Sequence, residues 1–200
     1  MSWRLAVLVV LLGLPGAPLV PPAPAAGADP PARLRFTLRD TAGATHTERS
    51  WESARAVVVF FVTPDCPVSQ GYVPEMNRIE QAYVQRGVKF LAVQSDTTYA
   101  DADVGRHVAE FAYRFPMLLD PSQILVRHTG ATITPEALVM TPSGRVLYQG
   151  RIDNRIASLG VRRPEATEHD LRNALDDVLA GRPVARPRTT AYGCIISRRS

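Results

Sequence analysis

Residues 56–69 read AVVVFFVTPDCPVS, and the fold turns on them. The first seven, Ala56 to Val62, are all apolar and rich in β-branched and aromatic types. Such a run, with no polar alternation, predicts a central strand covered on both faces. A helical pattern follows at once. Val68, Tyr72, Met76, Ile79 and Tyr83 recur at spacings of three and four, one face of an amphipathic helix, and Gly87 is placed to close it. Between strand and helix sits Cys66.

Functional groups gather at strand-to-helix junctions of open α/β sheets. The free N–H groups and partial positive charge of a helix start favour thiolate over thiol. Cys66 is therefore expected to be a nucleophile reachable from solvent. Position alone leaves open a buried or bridged structural cysteine, which is common in exported proteins.

Working outward, Leu34, Phe36 and Leu38 alternate with polar residues and predict a strand, with Thr45 to Glu48 as a short partner. Val88 to Val93 reads as the next strand, Ala102 to Phe115 as a helix stopped by Pro116, and Pro121 to His128 as a short helix. Glu136 to Met140 and Val146 to Gln149 flank the turn TPSGR and predict a hairpin. Leu171, Leu175, Val178 and Leu179 mark a last helix. Strands that alternate with helices require early parallel pairs, and the hairpin makes the sheet mixed. The expected class is α/β: a three-layer sandwich with a mixed central sheet flanked by helices.

The 200 residues are 46% hydrophobic and 21% charged, which excludes a wholly disordered or fibrous chain. The net charge of +4 is mild and its arginines are scattered, so no nucleic-acid partner is expected. His46, His107, His128 and His169 show no ligand spacing, and neither a metal nor another cofactor is expected. Arg4, the apolar run Leu5 to Leu14 and the small residues around Ala26 and Ala28 have the layout of a secretory signal. The run is too short to span a bilayer. The expected organisation is a signal peptide over 1–28, one domain over 29–181 and a tail over 182–200 that carries Cys194. The destination is oxidising, cleavage is expected to leave no stable membrane span, and the periplasm is the expected compartment.

With these features in place, the chain resembles the thioredoxin superfamily, in its redoxin branch of the alkyl hydroperoxide reductase and thiol-specific antioxidant type. Four features carry the resemblance: Cys66 after a hydrophobic strand, Pro74 eight residues on, Thr134-Pro135 before EALVM, and the segments FPMLLD and TPSGRVLYQGRID. It covers about residues 33 to 181. It implies a thioredoxin-like fold and a cis-proline at Pro135, with Thr134 and Pro135 presenting backbone on which an extended substrate pairs as a strand does.

The chain also departs from its relatives. Ser69 stands where thioredoxins carry the second cysteine of Cys-x-x-Cys, so no local dithiol exists. Thr63 matches the peroxiredoxin threonine three residues before the cysteine. Val59 stands in place of the peroxiredoxin proline, and the peroxide-facing arginine is missing or replaced. Cys194 is the possible resolving cysteine. From Gly181 the extended tail reaches at most roughly 43–47 Å, against a radius of gyration of about 16 Å for such a domain. The glycine before Cys194 and the isoleucines after it suggest a tail that docks. The resemblance implies a thiol-dependent oxidoreductase acting on a peroxide or a protein disulfide and served by an external thiol reductant. A different class, a non-catalytic partner-binding module with a structural disulfide, also fits.

Overall fold

The computed structural model describes residues 34–198. The proposed signal segment, 1–28, lies outside the described residues. Seven strands form the main sheet: β1 (Thr37–Asp40), β2 (Thr45–Thr47), β3 (Ala56–Phe61), β4 (Val88–Gln94), β5 (Met117–Leu119), β7 (Glu136–Met140) and β8 (Val146–Gly150), in the order β2-β1-β5-β4-β3-β7-β8. Strand β6 (Ile133–Thr134) precedes β7, the strands β9 (Ile156–Ser158) and β10 (Val161–Arg162) pair with each other, and β11 (Cys194–Ile195) lies in the tail. The helices are α1 (Pro67–Tyr83), α2 (Asp101–Glu110), α3 (Ile124–Thr129) and α4 (Asp170–Leu179).

The pairings β3–β4 and β4–β5 are parallel, and β3–β7 and β7–β8 are antiparallel. This is the mixed sheet the sequence predicts. Strand β3 lies in its interior, and all six of its residues are buried. Its side chains alternate between faces. Val58 and Phe60 join a core with Tyr72, Met76, Leu171 and Leu175, under α1 and α4. Val57, Val59 and Phe61 join a second core with Trp51, Leu125 and Ile196, on the opposite face. Three layers follow from one uninterrupted apolar strand.

Phe60 is at the centre of an aromatic group, with ring centroids 6.4 Å from Phe90 and 5.4 Å from Phe115. It has no exposed surface. Replacing Phe60 with alanine is expected to cost about 3–5 kcal/mol of stability. A denaturant melt monitored by circular dichroism reads the loss directly.

Some boundaries differ from the sequence reading. The strand expected over Leu34 to Leu38 begins at Thr37. The helix expected over Ala102 to Phe115 ends at Glu110, and Ala112 then takes a left-handed conformation, φ 52°. Tyr113 and Phe115 still pack on the core from the following loop, which is why the apolar pattern ran on past the helix.

Candidate active site

Helix α1 is built to begin at Cys66. The residue has extended backbone, φ −81° and ψ 108°, and Pro67 occupies the first turn, where its missing N–H costs no hydrogen bond. The Cys66 carbonyl accepts from the Gln70 N–H at 3.0 Å, the opening bond of the helix. Pro74 removes a backbone donor in mid-helix without ending it.

The second wall of the site is the peptide between Thr134 and Pro135, which is cis. The Cys66 thiol donates to the Thr134 carbonyl at 3.2 Å. Thr63 and Thr134 join hydroxyl to hydroxyl at 3.1 Å, and the Thr134 hydroxyl donates to the Cys194 carbonyl at 3.4 Å. The site residues Thr63, Cys66, Thr134, Pro135 and Cys194 thus meet in one place, although they come from three separate parts of the chain. The Thr63 hydroxyl is engaged with Thr134.

The tail is threaded to this point. The Gln149 N–H donates to the Pro187 carbonyl at 3.0 Å, and the Thr189 N–H to the Gln149 carbonyl at 3.2 Å, so the tail runs beside β8. The Thr189 hydroxyl is 2.7 Å from the Tyr148 hydroxyl and packs against Gly150, where any β-carbon would overlap it. Farther on, β11 pairs antiparallel with β6, placing Cys194 opposite Thr134 and Ile195 opposite Ile133. The tail docks, as the sequence suggests.

Burial pushes the Cys66 thiol up, but hydrogen bonds to the charged form outweigh it and hold the group below the ordinary cysteine value. These bonds come from the Cys194 side chain, from the Ser69 N–H and hydroxyl, and from Thr134. The Ser69 hydroxyl is buried and has no oxygen or nitrogen partner. In the sequence Ser69 reads only as a lost cysteine; its place in the first turn of α1 is the signal that it can serve the sulfur. Cys194 moves the other way. Burial, its hydrogen bond to Cys66, the Cys66 charge and the Asp65 charge push it up to about 12. Of the two neighbouring sulfurs, Cys66 is therefore the one that ionises first. Both are free cysteines in this structure. Such a pair has the composition needed to cycle between dithiol and disulfide.

The sequence predicts a Cys66 that solvent can reach, yet the residue has no exposed surface. The helix start does not bury it alone, since the cis-proline segment and the docked tail close over it. Glu75, on α1 near the cysteine, is buried and held by Arg78 at 2.7 Å and Arg172 at 2.9 Å. The segment Gly150 to Asp153 seats the tail at Gly150 and accepts the Tyr72 hydroxyl at Asp153 Oδ1, 2.6 Å, which fixes the outer face of α1. Among the described residues, no cluster of His, Cys, Asp or Glu is placed to hold a metal ion.

The sequence profile of the AhpC/TSA family matches residues 31–149. The chain is also similar to the thiol-disulfide oxidoreductase ResA of Bacillus anthracis, 26% identical over 84 residues, which is 42% of this chain and 47% of that protein. It therefore spans about half the length of the curated relatives it matches. Among solved structures it is similar to a hypothetical protein of Sinorhizobium meliloti 1021, with a TM-score of 0.72 and 27% identity over 84% of this chain and 93% of the other. A putative thiol:disulfide interchange protein DsbE of Chlorobium tepidum shares the fold, with a TM-score of 0.59 and 20% identity over 76% and 99% of the two chains. The architecture is thioredoxin-like.

Proposed function

Since the chain belongs to the AhpC/TSA family, we propose that it is an exported thiol-disulfide oxidoreductase with Cys66 as the attacking thiolate and Cys194 as the resolving cysteine. The single observation that carries the reading is the pairing of Cys194 with Thr134 beside Cys66. A second thiol is delivered by the tail to the position that Ser69 leaves without one.

The chemistry balances as two exchanges. The Cys66 thiolate attacks one sulfur of a substrate disulfide, a mixed disulfide forms, and the other substrate sulfur leaves as thiolate. That step removes the negative charge from Cys66 and ends its role as acceptor for the Cys194 thiol. Two of the causes that hold Cys194 protonated vanish together. Cys194 then loses its proton to solvent, attacks the Cys66 sulfur, and expels the second substrate thiolate. The substrate has gained two electrons, and the chain holds a Cys66–Cys194 disulfide. An external thiol reductant returns it to the dithiol.

Export rests on Arg4 and the apolar run Leu5 to Leu14. Among the described residues no helix is long and apolar enough to cross a membrane. The peroxidase version of the reading rests on Thr63. Its hydroxyl bonds to Thr134; the exchange version rests on the cis Thr134-Pro135 segment and on the missing peroxide-facing arginine. The test supplies the reduced protein with either a disulfide or hydrogen peroxide and follows the Cys66–Cys194 bridge by mass spectrometry of non-reduced digests. The bridge is expected to form faster with the disulfide. Faster bridging with peroxide would transfer the assignment to peroxide reduction, and no bridging with either would remove the resolving role of Cys194.

A further inference from the structure

The tail does more than carry Cys194 to the site. Its strand lies on the backbone edge that the cis-proline segment presents, where an extended polypeptide would add. Cys194 is opposite Thr134, Ile195 is opposite Ile133, and the Ile196 N–H donates to the Thr132 carbonyl at 2.9 Å.

Three features fit this strand to that edge. A β-carbon at Gly193 would overlap the Thr134 carbonyl, so only glycine permits the approach. Ile196 is 7% exposed and joins the core of Val57, Val59 and Trp51, whereas Ile195 is 80% exposed. This is the alternation of a strand with one face buried. Beyond it, the Gln123 side chain donates to the Ser197 carbonyl at 2.7 Å. Beneath the strand, Cys66 has no exposed surface although it opens a helix.

We propose that residues 193–196 form a self-complementing strand that closes the cis-proline edge, so that an extended cysteine-bearing polypeptide reaches Cys66 only after this strand lifts off. The proposal rests on the reading of Cys66 as the attacking thiolate and adds the regulation of its access. The tail is then a competitor built into the chain. The apparent affinity for a polypeptide falls in proportion to the fraction of molecules whose tail has lifted. A small disulfide needs only a brief uncovering of the sulfur. A polypeptide needs the whole edge vacated. The tail's own pattern also describes what the edge accepts: glycine before the cysteine and an aliphatic residue two places after it.

The test uses the full-length chain carrying Cys194→Ser, which removes resolution and leaves the strand in place. Two further substitutions lift the strand from different points: Gly193→Val collides with the Thr134 carbonyl, and Ile196→Asp charges the buried anchor. Two probes are compared. One is a peptide of residues 190–196, TAYGCII, with its cysteine bridged to a chromophoric aryl thiol. The other is the symmetrical aryl disulfide. In each reaction the Cys66 thiolate takes one sulfur and expels an aryl thiolate, which is measured by absorbance.

Both strand-lifting variants are expected to raise the ratio of peptide rate to small-disulfide rate about tenfold or more. A probe with valine in place of its glycine should lose that gain. An unchanged ratio, including an equal rise with both probes, would overturn the gate while leaving exchange at Cys66 standing. Failure of every variant to react with either probe would remove the exchange reading itself, and the gate with it. Denaturant melts verify that the variants fold, and the two substitutions, at opposite ends of the strand, must agree.

Discussion

Replacing Cys66 with serine is expected to lower disulfide exchange by about 10³-fold or more, since the nucleophile's contribution is lost as a unit. A serine hydroxyl is not ionised near neutral pH, so the environment that stabilises a thiolate has nothing to act on. The fold should be unaffected, because the substitution is nearly isosteric and the site supplies hydroxyl-compatible partners, with the Thr134 carbonyl 3.2 Å from the sulfur. Reduction of an insulin-type disulfide substrate with excess thiol reductant measures the loss. Retention of most of the activity in Cys66→Ser would place the reacting sulfur elsewhere.

The second large effect is expected from Cys194→Ser, and it divides by step. The first exchange should still release one substrate thiolate per chain. Its pH dependence should stay near that of the wild type, because a serine hydroxyl can donate in place of the Cys194 thiol, the leading hydrogen bond that lowers Cys66; Cys194→Ala, which keeps no donor, should move it upward. The second exchange should stall at the mixed disulfide. With external thiol held at micromolar levels, turnover should fall about 10²-fold or more, since a tethered thiol acts at an effective concentration in the millimolar range. Mass spectrometry should find substrate attached to Cys66. Unchanged turnover, with no trapped adduct, would mean that resolution comes from outside the chain.

The part of the fold that places the nucleophile was legible because its signals are local. Seven apolar residues from Ala56 to Val62 leave little choice but a strand buried on both faces, and the spacing from Val68 to Tyr83 leaves little choice but a helix on it. The missed parts have physical reasons. Met117–Leu119 is three residues long and carries no period of its own. The β9–β10 hairpin exposes Leu159 and Val161, at 71% and 54%, so its apolar residues do not alternate with an interior. Tyr113 and Phe115 pack on the core from a loop, and spacing cannot separate that from one more helical turn.

At the site, the cysteines and the Thr134-Pro135 pair could be read from residue type, order and resemblance. Their joint burial could not. It depends on β11 meeting β6 across sixty residues of chain, and no local pattern reports such a contact. Gly193 and Ile196 were the visible traces of it. A glycine permits a close approach, and an isoleucine pair suggests one buried side, but the partner edge exists only once the sheet has formed. Ser69 gives the same lesson on a smaller scale. Read as a missing thiol, it looks like a loss, but in the fold its N–H and hydroxyl support the charge on Cys66.

The account depends on which of two neighbouring sulfurs ionises first. Ultraviolet absorbance of the thiolate, titrated in the reduced wild type and in Cys66→Ser and Cys194→Ala, measures this without requiring any reagent to enter the covered site. The wild type should show one thiolate forming below the ordinary cysteine value of about 8.5 and a second only near the alkaline end of the range. The early step should be absent in Cys66→Ser and shifted upward in Cys194→Ala, which keeps no donor to the Cys66 sulfur. An early step that survives in Cys66→Ser, or two sulfurs that both ionise at or above the ordinary value, would contradict it.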